Sequence, residues 1–126
     1  MARILVVEDS PIEAHQFVNL LAAQGHQVLT AATGREGLEV AQTEQPDVIL
    51  MDVVLPGING FQATRQITRA QETKHIPVII VSSKKQPADI VWGERQGACG
   101  YLTKPVADKE LIAKVNQVLE TSAAAL

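Results

Sequence analysis

The sequence predicts an α/β protein built on a doubly wound, five-stranded parallel sheet. Two observations lead there. Short apolar runs alternate with longer amphipathic stretches, five times along the chain. Three of the runs, ILVV, VILM and VIIV, are apolar on every residue, as strands buried on both faces are. Repeated strand–helix order implies parallel strands joined by right-handed crossovers, with helices on both faces.

The runs are Ile4–Val7, Gln27–Ala31, Val48–Met51, Val78–Val81 and Cys99–Leu102. After the first, Ala14, Phe17, Val18 and Leu21 fall at i, i+3, i+4 and i+7, one face of a helix. Ser10-Pro11-Ile12-Glu13 reads as its start, with Ser10 as N-cap, Pro11 at the first helical position and Glu13 three residues past the cap. Thr33 to Glu36 repeats that capping-box pattern before the stripe Gly37, Leu38 and Ala41. Asn59 caps a third helix running to about Arg69, and Pro87 opens a fourth running to about Gln96. Beyond Pro105, Leu111, Ile112, Val115, Val118 and Leu119 share one helix face. Gly25 and Gly97 stand where helices end. One domain over residues 1–121 is expected, with a small, alanine-rich tail over 122–126 that frays. Cys99, in or beside a buried strand, reads as core, whereas Trp92 is balanced between core and contact.

Composition narrows the function. Hydrophobic residues make up 46% of the 126, enough for a core. A net charge of −3 argues against a nucleic-acid binder. A single cysteine rules out an intramolecular disulfide and fits a reducing compartment. MARILVVEDSP meets acids too early for a signal peptide, and no apolar run approaches the roughly 18 residues of a membrane span. A soluble cytoplasmic protein without membrane or nucleic-acid partners is expected.

In sheets of this kind ligands bind outside the carboxyl ends of the strands, where the winding reverses. Glu8 and Asp9 follow the first run, Asp52 the third, Ser82 and Ser83 the fourth, and Lys104-Pro105 the fifth. Three carboxylates at one sheet edge repel one another, and a hard divalent cation such as Mg²⁺ relieves them. A carboxylate beside such an ion can attack a phosphoryl group in line, with Lys104 and Ser82 on its oxygens. Taken singly, each residue has an ordinary explanation: a turn Asp, a charged helix start, loop hydroxyls, a solvated Lys. Their coincidence at the ends of four of five strands does not. His15, His26 and His75 lack metal-ligand spacing, and Arg65, Arg69 and Lys74 read as a solvated face.

ILVVEDS, DVILMDVVLPGINGF, PVIIVSSK and GYLTKPV, in this order, resemble the receiver domain of bacterial two-component response regulators over essentially the whole chain. The resemblance implies the flavodoxin-like (βα)5 receiver fold. It implies Asp52 as phospho-acceptor, Asp9 as direct Mg²⁺ ligand, Glu8 acting mainly through water, and the Val54 carbonyl completing the metal shell. Ser82 would swing toward the phosphoryl group, Tyr101 would turn inward in response, and Lys104 would contact the phosphoryl group from a cis Lys104–Pro105 bond. A histidine kinase, chemotaxis-type, would be the donor. A protein target on the face of the fourth helix, fifth strand and fifth helix would be the output. The switch would assist its own phosphorylation without being an enzyme. NGFQATRQIT and the Val91–Gly97 segment with its Trp-Gly pair are similar to small stand-alone regulators of type IV pilus twitching motility. Glu8 and Ser82 stand where the family more often has Asp and Thr. Val54, which offers no group to orient water, implies that phosphate loss is not especially fast.

Three other readings compete. A phosphorelay intermediate would pass the group to a histidine phosphotransfer protein. A phosphatase of the haloacid dehalogenase kind wants a second Asp where Val54 stands. A flavodoxin-like electron carrier wants a Ser/Thr/Gly-rich loop where VVEDSPIE offers acids.

Overall fold

The computed structural model describes residues 1–124. Five strands alternate with five helices: β1 (Arg3–Val7), α1 (Pro11–Ala23), β2 (Gln27–Ala31), α2 (Gly34–Glu44), β3 (Val48–Met51), α3 (Gly60–Arg69), β4 (Val78–Ser82), α4 (Pro87–Arg95), β5 (Gly100–Thr103) and α5 (Asp108–Ala124). The strands form one parallel sheet in the order β2-β1-β3-β4-β5. The alternating pattern predicts the doubly wound parallel sheet, and the flavodoxin-like arrangement is the one that the resemblance implies. The winding reverses between β1 and β3, which lie side by side.

Alternate strand residues serve opposite faces, and helices cover both. Ile4, Val6, Val48, Leu50, Ile79, Val81 and Leu102 pack against Leu21 of α1 and Leu111, Val115 and Val118 of α5. Leu5, Val7, Ile49, Met51 and Val78 pack against Ala41 of α2 and Ala63 and Ile67 of α3. Neither strand face is left to water, so the central strands carry no polar alternation. Truncating a fully buried residue such as Leu50 to Ala would cost about 2–5 kcal/mol.

The N-caps stand where the sequence suggests, but neither Glu13 nor Glu36 closes a capping box. Ser10 accepts from the Glu13 amide, Thr33 from the Glu36 amide, and Asn59 and Gln62 complete a reciprocal capping box. The Glu13 carboxylate does not return to the cap; it pairs with Lys104. Gly25 and Gly97 take positive φ just past α1 and α4. At the far end, α5 runs to Ala124, past the boundary drawn at 121. Residues 125–126 lie outside those described. Cys99 precedes β5 and is exposed rather than core, although its thiol donates to the Val78 carbonyl. Burial pushes the thiol pKa up. No described helix is long and apolar enough to cross a membrane.

Candidate functional site

The carboxyl ends of β1, β3 and β5 open into one cleft of about 650 Å³. Glu8, Asp9, Glu13, Asp52, Val54, Ser83, Lys104 and Pro105 are among its lining residues. Glu8 and Asp9 leave β1, and Asp52 leaves β3. The adjacency of β1 and β3 at the reversal of winding therefore brings the three acids together. One oxygen from each lies within 4.8 Å of the others, so a single cation can meet all three. The donor set is all hard oxygen, which suits Mg²⁺.

Hydrogen bonds fix the acids. The Glu8 carboxylate accepts from the Ser10 amide at 3.1 Å, and Asp52 Oδ1 accepts from the Val53 amide at 2.8 Å. Glu8 is buried, and burial raises its pKa; Asp52's charge adds to that, while Lys104 and the Ser10 amide oppose it. Such a group gains from positive charge nearby. Lys104 supplies some: its Nζ lies 2.7 Å from Glu8, 2.8 Å from Glu13 and 3.4 Å from Asp52. Burial works to lower the Lys104 pKa, but hydrogen bonds to Glu13 and Glu8 and the Asp52 charge hold it well above the ordinary lysine value. The Lys104–Pro105 bond is cis.

Two residues of this neighbourhood escape a reading of the sequence. Glu13 looks like a cap residue, because its spacing from Ser10 is that of a capping box. Gly60, at the first position of α3, lies against the acceptor loop. A Cβ there would overlap the Asp52 carbonyl oxygen and lie 2.7 Å from Val53 Cα. Its amide donates to the Val53 carbonyl at 2.8 Å. Only its position after PGIN, opening a helix, hints at this.

Ser82 is the last residue of β4 and fully buried, so the hydroxyl lining the cleft is that of Ser83. Ser82 Oγ instead accepts from the Lys84 amide at 3.2 Å. Tyr101, in β5, donates its hydroxyl to the Lys84 carbonyl at 2.6 Å. Its ring packs with Val53, Phe61, Ile80 and Ala98. Burial raises the Tyr101 pKa. The ring rests on α4 at Gly93, where a Cβ would lie 3.0 Å from it. Val54 is largely exposed at the cleft, and Trp92 lies on the surface of α4.

The family model for the response regulator receiver domain matches residues 4–116. The chain is 56% identical to PilH of Pseudomonas aeruginosa over 119 residues, 94% of this chain and 98% of that protein. A CheY-like response regulator receiver domain protein from Methanospirillum hungatei superposes with a TM-score of 0.93 at 25% identity, covering 100% of this chain and 99% of that one. The receiver domain of a sensor histidine kinase from Pseudomonas aeruginosa, solved with a magnesium ion coordinated in its active-site cleft, gives 0.88 at 28% identity, covering 94% and 98%.

Proposed function

The chain belongs to the response regulator receiver family, and from that premise we propose that it is a phosphorylation switch whose acceptor is Asp52. Receiver domains take a phosphoryl group from histidine kinases and act on downstream targets. One observation carries the assignment here. Asp52 stands in an open cleft within a cation's reach of Glu8 and Asp9, with the Lys104 ammonium 3.4 Å away.

An Asp52 oxygen attacks the phosphorus of a phosphohistidine or of acetyl phosphate. The bond from phosphorus to the leaving imidazole or acetate breaks, and an aspartyl phosphate forms. Glu8, Asp9, Asp52 and the Val54 carbonyl are the residues to hold Mg²⁺, which when bound offsets charge on the phosphoryl oxygens. Lys104 leaves Glu13 for a phosphoryl oxygen. Ser82 turns from the Lys84 amide toward the same group, loosening the segment that Tyr101 grips from its other end. The added charge thereby selects between two arrangements of the β4–α4 connection. The face of α4, β5 and α5 presents the result to a protein partner. Likeness to PilH along nearly its whole length supports a role in twitching motility, and the donor proposed with it is a chemotaxis-type kinase. Because Val54 offers no group to orient water, loss of the phosphoryl group is not especially fast, with a half-life longer than seconds.

Intact mass after incubation with acetyl phosphate tests the assignment. A Mg²⁺-dependent gain of one phosphoryl group, absent from Asp52→Asn, is expected. An equal gain in Asp52→Asn moves the acceptor elsewhere, and decay within seconds removes the inference from Val54.

A further inference from the structure

The phosphorylation cleft leaves the lone tryptophan unexplained. Trp92 is 48% exposed on α4, beside Val91 at the same exposure, in a chain only 3% aromatic. It borders a groove between α3 and α4 of about 400 Å³, lined by Asn59, Phe61, Gln62, Arg65, Trp92 and Gln96. None of these residues lines the acidic cleft.

The groove is fixed before anything enters it. Thr68 of α3 donates its hydroxyl to the Gln96 carbonyl at the end of α4, at 2.6 Å. Gln96 Nε2 donates in turn to the Trp92 carbonyl. Phe61, largely buried, is an apolar lining residue. An aromatic at the edge of a groove whose backbone is pinned is what protein interfaces use as an anchor.

Charge says what kind of partner fits. Arg65 lines the groove, Arg69 stands one turn further along α3, and Arg95 one turn beyond Trp92. Among the described residues none of the three forms an ion pair within 4.0 Å. Asp89, one turn before Trp92, is turned to the helix start, where it accepts from the Gln86 amide. This is a concentration of unpaired guanidinium on a chain of net charge −3. Guanidinium forks match carboxylates in pairs.

We propose that the α3–α4 groove docks an acidic protein segment, which lays an apolar side chain on Trp92 and carboxylates on Arg65, Arg69 and Arg95. The groove shares α4 with the α4-β5-α5 face but lies on the α3 side of that helix, and it stands whether or not Asp52 is the phospho-acceptor.

The test pans a random peptide display library on the full chain, after depletion on the Arg65→Glu/Trp92→Ala double variant. Selected peptides are titrated by fluorescence, which reports the groove alone because Trp92 is the chain's single tryptophan. The expected result is acidic peptides carrying an apolar residue that saturate a Trp92 emission shift. Arg65→Glu and Arg69→Glu each weaken them at least about fivefold, and added salt weakens them too. Unchanged far-UV circular dichroism establishes that the variants fold; if Arg65→Glu does not, Arg65→Gln carries the same comparison. The proposal is overturned if no peptide separates wild type from the double variant, or if neutral or basic peptides are selected. It is overturned equally if oligothymidylate produces the shift more tightly, or if sedimentation shows that wild type alone dimerises through this face.

Discussion

Ser82 and Tyr101 hold the main chain of one residue from its two ends. The Ser82 hydroxyl accepts from the Lys84 amide, and the Tyr101 hydroxyl donates to the Lys84 carbonyl. A group drawing Ser82 away therefore acts on the segment that Tyr101 restrains.

Tyr101→Phe removes one of these two bonds and keeps the ring. Losing a partly exposed hydrogen bond costs about 1 kcal/mol, roughly a fivefold shift in local opening. Hydrogen exchange of the peptide spanning residues 83–87 should quicken by that factor, with Asp52 phosphorylation retained. Unaltered exchange there would show that the Lys84 contact restrains nothing.

Glu13→Gln should change phosphorylation more than stability. Glu13 is 41% exposed at its side chain, so its pair with Lys104 contributes only about 0.5 kcal/mol to folding. Yet it competes with Asp52 for the same ammonium. Neutralising it leaves Lys104 freer to reach an incoming phosphoryl group, and the initial rate with acetyl phosphate should rise several-fold, about one kcal/mol in barrier. A slower rate would make Glu13 a helper rather than a competitor.

Gly60→Ala sets two effects against each other. Helix propensity favours Ala, but by less than the roughly 1 kcal/mol of a helix interior, because Gly60 is the first helical residue. The backbone of Asp52 and Val53 occupies the space a methyl needs, so overpacking of about 1–3 kcal/mol should win. Urea unfolding should show net loss of stability, together with slower phosphate uptake. A stabilised variant would mean that α3 can retreat freely.

His26 gives a pH dependence remote from the cleft. Burial, then the charge of the amino terminus, lowers its pKa below the ordinary histidine value of 6.5. Its Nδ1 accepts from the Ala2 amide at 3.1 Å, which requires the neutral ring. A depressed folded pKa means that stability from this contact is complete above the unfolded value and lost as pH falls through the folded one. The stability gap between wild type and His26→Phe should therefore narrow from pH 7.5 toward pH 5, by urea unfolding at each pH. A gap that is constant or widens on acidification refutes it.

What could be read in advance depended on whether the signal was local. Strands buried on both faces announce themselves by unbroken apolar runs, and caps by residues within one turn, so ILVV, VILM, VIIV, Ser10 and Thr33 were plain. The three acids followed from topology, since parallel strands deliver their trailing residues to one edge. Glu13 was not legible, because a cap partner and an ion-pair partner look identical at that spacing. Gly60 was not legible as a contact either, since the crowding comes from a loop packed against it in space. Cys99 misled because the edge strand it precedes begins one residue later, leaving the residue at the surface with its thiol only partly covered. Ser82 was placed after its strand, whereas β4 runs through it, and the exposed hydroxyl is the next one.

Parallel strands also have a second edge. At the amino ends Asp47 accepts from the Arg3 amide, His26 from the Ala2 amide, and Cys99 donates to the Val78 carbonyl. These contacts fasten the strand starts and touch none of the cleft's lining residues. A substitution at the amino ends is therefore expected to act on folding alone, whereas one at the carboxyl ends acts on the cleft, with or without a cost in folding.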